Sequence, residues 1–167
     1  ISNQALMAQY MGAIVDGQYD EADINVNALP IYHCAQRDVF MNPIFWVGGT
    51  NVLILPDIGQ ILKSLADYKA TMFFAPPTVW IGMLRHPDLK KYDLSHLKKC
   101  YYGASIMPVE ILKEIMEKFP GTGIWNYYGQ TELAPYHTVL KAKDALAKLG
   151  SAGMGGLKME TRLEEAG

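Results

Sequence analysis

Cysteine, excess charge and long apolar runs are all scarce in this chain, and each shortage argues against a class of protein. The 167 residues include only Cys34 and Cys100, which are far apart and lack the close spacing of metal ligands. Such usage favours reduced thiols over a disulfide framework, as expected of a cytoplasmic protein. A net charge of -2, with both signs mixed along the chain, argues against a nucleic-acid-binding surface.

Apolar runs long enough to cross a membrane are missing as well, and no signal peptide is visible. Any membrane contact is therefore expected to be peripheral at most. The composition is half apolar, which is enough for one domain with a real core. Ten tyrosines, three tryptophans and nine methionines suit a packed core and also large apolar ligand sites.

Helix-like and strand-like segments alternate along the first 127 residues. Such alternation predicts an α/β fold, with a doubly wound, mostly parallel sheet and helices on both faces. The predicted helices cover residues 2–15, 36–47 (bent at Pro43), 56–68, 76–84 and 108–119. The predicted strands cover residues 24–29, 51–55, 71–74, 98–102 and 123–127.

The last forty residues predict a change of architecture. Residues 139–149 read as a short helix that ends at Gly150, and a glycine-rich stretch follows. Leu157–Leu163 alternates apolar and polar residues, which predicts a strand of a second sheet. We therefore divide the chain into an α/β subdomain, residues 1–150, and a linker with the truncated start of the next subdomain, residues 151–167.

One stretch, Trp125–Glu132, combines an aromatic, a glycine, a hydroxyl and a carboxylate at the end of a predicted strand. These groups suit a nucleotide, because a ring stacks on a base and Glu132 is a natural ligand for phosphate-bound Mg²⁺. Two more loops, Tyr32–Gln36 and Gly103–Ser105, follow other predicted strands. Ligands of parallel sheets bind beyond the carboxyl ends of the strands, so the three loops are expected to form one site.

Four motifs in these regions resemble the adenylate-forming enzymes, especially the fatty-acyl-CoA synthetases. Asn126–Glu132 matches the N-x-Y-G-x-T-E signature at every fixed position. The other three are Leu29–His33, similar to L-P-x-[FY]-H, Ala75–Trp80, similar to a P-T-x-W segment, and Tyr101–Pro108, similar to a G-[GA]-[AS]-x-x-[PS] loop. The combination is specific, whereas the shorter motifs are weak alone.

The resemblance implies an AMP-forming ligase that joins a carboxylic acid, expected to be a fatty acid, to CoA at the expense of ATP. It implies that Tyr128 stacks on adenine, with Asn126 near the exocyclic amine and Tyr127 and Gly129 beside them. Gly103, Ala104 and Ser105 would form the opposite wall. It further implies the catalytic and substrate residues: Thr131 on the α-phosphate, Glu132 on Mg²⁺, His33 where acid, phosphate and thioester meet, and Val79 and Trp80 along the acyl tunnel.

The resemblance also implies that parts of the site lie outside this chain. The family's phosphate loop is expected before Ile1, and the ribose-binding Asp and the small C-terminal domain after Gly167. We therefore expect an internal piece of the large N-terminal domain that is inactive by itself. Two alternatives remain: an amino-acid-activating domain, which usually needs an Asp that the Pro76–Trp80 segment lacks, and a nucleotide-binding module without chemistry.

Overall fold

Seven strands form a single sheet in the computed structural model, which describes residues 1–165. The strands are β1 (Ile24–Asn27), β2 (Thr50–Leu53), β3 (Met72–Phe74), β4 (Lys99–Gly103), β5 (Gly123–Gly129), β6 (Tyr136–Leu140) and β7 (Met154–Gly155). Their order is β2-β1-β3-β4-β5-β6-β7, and β1 to β5 pair in parallel, whereas β6 and β7 are antiparallel. The predicted mostly parallel α/β sheet is confirmed.

The α-helices begin where the sequence supplies a side-chain cap or a proline. They are α1 (Asn3–Gly17), α2 (Asn42–Val47), α3 (Ile58–Asp67), α4 (Pro77–Arg85) and α5 (Val109–Lys118), and a π-helical segment (Ala35–Met41) without such a cap precedes α2. Ser2 Oγ accepts the Ala5 N–H at the start of α1, and Asp57 Oδ1 accepts the Gln60 N–H at the start of α3. Pro43 lies in the first turn of α2, so the predicted bend is the junction between two helical segments.

Alternate strand residues build a separate core on each face of the sheet. Phe73, Cys100 and Tyr102 pack with α3, α4 and α5 on one face. Phe74 and Tyr101 pack with α1, the π-helical segment and α2 on the other. Helices therefore cover both faces, and adjacent Tyr101 and Tyr102 point to opposite sides, as predicted.

The prediction of a helix over residues 139–149 is wrong. The chain continues β6 through Leu140 and then makes only a 3₁₀ turn, Ala142–Asp144, before further turns. Val139 and Leu140 are both 3% exposed and pair with β5. The start of this segment is therefore a strand, because pairing and burial outweigh its local preference for a helix.

The strand predicted over Leu157–Leu163 is also wrong, because strand geometry in this region is confined to β7 and Leu157 begins a turn. Buried Asp16 of α1 explains the path of the chain. Its carboxylate accepts the Leu157 N–H at 2.7 Å and the Tyr136 hydroxyl at 3.0 Å, and it forms an ion pair with Lys141. Residues 151–157 are thus held on the same sheet, and the division at residue 150 stays a prediction. Residues 166 and 167 of the predicted linker lie outside the described part.

Among residues 1–165, no helix has both the length and the apolar character to cross a bilayer.

Trp80 lies in the core between α4 and the sheet, with 1% of its surface exposed. Its indole N–H donates to the Tyr101 carbonyl at 3.1 Å, and its ring meets Phe73 edge-to-face. We predict that Trp80→Phe lowers the free energy of unfolding by about 1–3 kcal/mol, because it removes a buried donor and leaves a small void. Urea unfolding followed by circular dichroism measures the change.

Half-exposed Trp46 offers the matched control, since Trp46→Phe should change the free energy of unfolding by no more than about 0.5 kcal/mol. Equal small effects of the two substitutions would contradict a core role for Trp80.

Candidate active site

The three predicted loops meet at the carboxyl edge of the sheet, around a cavity of about 260 Å³ that we call the front groove. The loop after β1, the loop after β4 and the end of β5 all contribute to it. The lining residues are His33, Cys34, Ala35, Val39, Phe40, Phe74, Ala104, Tyr127, Tyr128, Gly129, Gln130, Thr131, Pro135 and Tyr136. The predicted convergence of the loops is therefore observed.

A second cavity of about 400 Å³, the side cavity, lies next to the front groove. It is lined by Tyr102, Ala104, Ser105, Ile106, Met107, Asn126, Tyr127, Tyr128, Gly129, Gly150 and Ala152. Both cavities share Ala104 and the run from Tyr127 to Gly129. Tyr128, 46% exposed, thus lines both cavities and has ring surface available for stacking.

The loop that carries His33 is held by its own backbone. The His33 N–H donates to the Pro30 carbonyl at 3.0 Å, and the Arg37 N–H donates to the His33 carbonyl at 3.2 Å. His33 Nδ1 accepts the Ala35 N–H at 3.3 Å. In the neutral ring the proton then sits on Nε2, which leaves an N–H donor available to a ligand of the front groove.

A buried cluster of side-chain amides anchors the same loop to the sheet. Gln36 Nε2 donates to Asn27 Oδ1 at 2.5 Å, and Asn27 Nδ2 donates to Asn51 Oδ1 at 2.8 Å. Asn25 Nδ2 donates to the same Asn27 oxygen, and Asn51 Nδ2 donates to the Met41 carbonyl. β1, β2 and the π-helical segment are thereby tied together at Gln36, three residues after His33.

Sequence reasoning missed this amide cluster, although a signal was present. Asn25 and Asn27 are two residues apart in a strand, so both side chains must lie on one face. Asparagine is disfavoured in buried strands unless its amide is paired, which points to a polar network.

Close backbone contact explains the glycine at the start of the second loop. A Cβ at Gly103 would collide with the Tyr127 carbonyl of the neighbouring strand β5. Ala104 follows with a left-handed φ of 66°, which turns the chain across the top of the sheet. Small residues at these two positions let the loop lie against Tyr127 and Tyr128.

Thr131 and Glu132 lie in a 3₁₀ turn, Thr131–Leu133, directly after β5. The Leu133 N–H closes this turn by donating to the Gln130 carbonyl at 3.0 Å. Thr131 Oγ1 lies 3.2 Å from Cys34 Sγ of the first loop, so a hydroxyl–thiol contact joins the two loops across the groove. The Glu132 carboxylate is exposed. Cys34 was not among the predicted site residues, and this contact is what indicates that it belongs to the site.

The amide nitrogen of the Asn126 side chain holds this residue in the side cavity. Its Nδ2 donates to the Ser151 carbonyl at 3.1 Å. The Oδ1 atom remains as an acceptor, which is the group that an exocyclic amine requires.

The walls of the front groove are uncharged. No Asp, Glu, Lys or Arg is among the groove-lining residues, and Phe40 and Phe74 form a stacked pair with ring centres 4.2 Å apart. Burial raises the pKa of both Tyr127 and Tyr136 far above the usual value, so both phenols stay neutral. The groove therefore suits an apolar group better than an ammonium group.

Two predicted substrate-pocket residues are not brought to the front groove. Trp80 is buried in the core, and Val79 is half-buried on α4 and packs against the same core. The other predicted site residues line one or both cavities, except that Gly103 lies beneath them and Glu132 beside them.

Removal of one member of the amide cluster tests how strongly the His33 loop is anchored. We predict that Asn27→Ala lowers the free energy of unfolding by about 1–3 kcal/mol, because the buried Gln36 amide loses its acceptor and Asn25 Nδ2 keeps only its bond to Asn51. Chemical denaturation measures the change, with exposed Asn3→Ala as the control. A loss no larger than that of the control would mean that the cluster contributes nothing to stability.

Comparison with known proteins gives one family and many relatives. The model of a family described as "AMP-binding enzyme" matches residues 1–166. A long-chain-fatty-acid–CoA ligase of Bacillus subtilis is 32% identical over 137 residues, which cover 81% of this chain and 23% of that protein. A feruloyl-CoA synthase of an Amycolatopsis species is 29% identical over 137 residues, covering 81% of this chain and 28% of that protein. The chain thus spans about a quarter of the length of these curated relatives.

A solved structure shares the fold. O-succinylbenzoate coenzyme A synthetase from Bacillus subtilis, in complex with ATP and magnesium ion, superposes with a TM-score of 0.84. It is 23% identical in sequence, and the match covers 98% of this chain and 34% of that one.

Proposed function

This chain belongs to the AMP-binding enzyme family, and from that membership we propose that it forms the acid- and nucleotide-binding part of an AMP-forming acid–CoA ligase. The observation that carries the proposal is the convergence of the signature turn, Thr131 and Glu132, with the His33 and Ala104 loops around one groove. The parts of such an enzyme that would complete the reaction belong to the full-length protein.

The proposed reaction has two steps. A carboxylate oxygen of the acid attacks the α-phosphorus of ATP. The bond between this phosphorus and the oxygen that bridges to the β-phosphorus breaks, and pyrophosphate leaves. The sulfur of a thiol, CoA, then attacks the acyl carbon, AMP leaves, and the thiol proton passes to a base. Both steps build charge on phosphate oxygens, so the protein contributes mainly by orientation and charge neutralisation.

The side cavity is the proposed nucleotide site. Tyr128 would stack on the adenine from one side, and the backbone of Ala104 and Ser105 would flank it from the other. Asn126 would accept a hydrogen bond from the exocyclic amine through Oδ1. Thr131 lines the front groove, which shares the Tyr127–Gly129 segment with the side cavity, and we place the α-phosphate there.

Magnesium fits the chemistry of Glu132. Its exposed carboxylate follows Thr131 in the same turn and offers the hard oxygen that Mg²⁺ prefers. Within residues 1–165, no group of three or more His, Cys, Asp or Glu side chains could hold a metal by itself. Glu132 would therefore share the ion with phosphate oxygens and water, and the bound ion would neutralise charge on the phosphates.

The front groove is the proposed acid site. Its aromatic floor, uncharged walls and neutral phenols suit an apolar acyl group. An amino acid would leave its ammonium group without a carboxylate partner among the groove-lining residues, which argues against an amino-acid-activating enzyme. His33 would donate from Nε2 to the acid or phosphate at the mouth of the groove.

The first test is acid-dependent exchange of labelled pyrophosphate into ATP by the full-length protein that carries this sequence. We expect exchange with fatty or arylpropenoic acids and at least tenfold slower exchange with free amino acids, because the groove offers no carboxylate to an ammonium group. A ligase requires exchange with at least one plain acid. Absence of exchange with all acids of the panel would favour a binding module without chemistry.

The second test removes the proposed metal-side carboxylate. Glu132→Ala should lower adenylate formation at least a hundredfold without loss of stability, since the side chain is exposed. Glu110→Ala on the solvent side of α5 is the matched control, because it removes the same charge far from the groove. Near-normal turnover of Glu132→Ala across a range of Mg²⁺ concentrations would contradict the metal assignment.

A further inference from the structure

A third cavity, which we call the basal cavity, lies at the opposite edge of the sheet from the front groove. Its volume is about 680 Å³, compared with about 260 Å³ for the front groove. It forms below the amino ends of β4 and β5, where the carboxyl ends of α4 and α5 meet the 86–98 connection. A volume of this size lies within the range of small-molecule sites in proteins.

The inner wall of the basal cavity is apolar and fixed. Leu84, Leu97 and Phe119 line it, and each is at most 7% exposed and part of the core on that face of the sheet. The Thr122 hydroxyl donates to the Leu97 carbonyl at 2.9 Å, which ties the connection to the start of β5. The wall is thus preformed by packing, as binding cavities usually are.

The rim carries an excess of positive charge. Three ammonium groups line the cavity, from Lys90, Lys98 and Lys118, against a single carboxylate, Asp93. Asp93 Oδ1 accepts the Ser95 N–H at 3.0 Å, which lowers the pKa of this carboxyl and keeps it charged. Within residues 1–165, neither Lys90 nor Lys118 forms a salt bridge.

Helix ends do not account for this charge. The carboxyl ends of α4 and α5 each contribute a partial negative charge of about half a unit, and lysines commonly offset it. Together with Asp93, these two ends balance only two of the three ammonium groups. The remaining charge of about one unit therefore faces a cavity whose inner wall is apolar, a combination that suits an anion attached to an apolar body.

We propose that the basal cavity binds a small amphiphilic anion, with its apolar body against Leu84, Leu97 and Phe119 and its charged group between Lys90 and Lys118. A carboxylate, sulfonate or phosphate supplies the same chemistry at the rim. This site is independent of the proposed ligase function, because none of its residues belongs to the front groove or the side cavity.

The test uses 8-anilinonaphthalene-1-sulfonate, whose fused rings and single sulfonate match the proposed ligand class, in a fluorescence titration of the full-length protein. We expect saturable binding at one site with a micromolar dissociation constant. Lys90→Ala combined with Lys118→Ala should weaken it about fivefold or more, because two charged contacts are lost. Lys113→Ala with Lys143→Ala removes the same charge from residues outside the basal cavity and should change affinity less than twofold.

Two further arms separate the basal cavity from other sites. Ser95→Phe places a ring on an exposed residue of the cavity without changing charge, and it should also weaken binding at least fivefold. N-phenyl-1-naphthylamine, which keeps the rings but lacks the sulfonate, should bind the wild type and the double lysine variant equally. An unchanged affinity of the Lys90/Lys118 variant for 8-anilinonaphthalene-1-sulfonate, or displacement of this probe by ATP, would overturn the proposal.

Discussion

The parallel pairing of β4 with β5 is the constraint on which the candidate active site depends. Gly103 lies opposite Tyr127 in this register, and the two backbones approach so closely that no side chain fits at Gly103. The loops that follow these strands therefore leave the sheet side by side. A slip of one residue would exchange the faces of every side chain on the slipped strand, so the cores on both faces hold the register.

Two further contacts complete the site from this starting point. The buried amides of Asn27 and Gln36 fix the end of the first loop, and the contact between Cys34 and Thr131 joins this loop to the turn after β5. The Asn27–Gln36 contact joins residues nine positions apart and the Cys34–Thr131 contact joins residues 97 positions apart, so neither lies within one short motif. The site is thus a product of three strands and their registers rather than of one motif.

Much of the fold could be predicted because local preferences and tertiary structure agree in the first 127 residues. Ser2 and Asp57 cap helices as their residue types predict, and strands β1 and β2 between them pair in parallel. The agreement fails after Leu140, where the local preference of residues 139–149 was helical. Strand β6 prevails there because Val139 and Leu140 are buried against β5, a contact that no local rule describes.

The sequence by itself determined the alternation of strands and helices, the signature from Asn126 to Glu132, and the family to which these residues belong. Periodicity and short motifs are local properties, so a single chain displays them without its fold. Only the tertiary structure decided that Trp80 lies in the core, that Asp16 holds the Leu157 turn, and that lysines gather around a basal cavity. Each of these depends on distances between residues far apart in sequence, which are set by packing across the sheet.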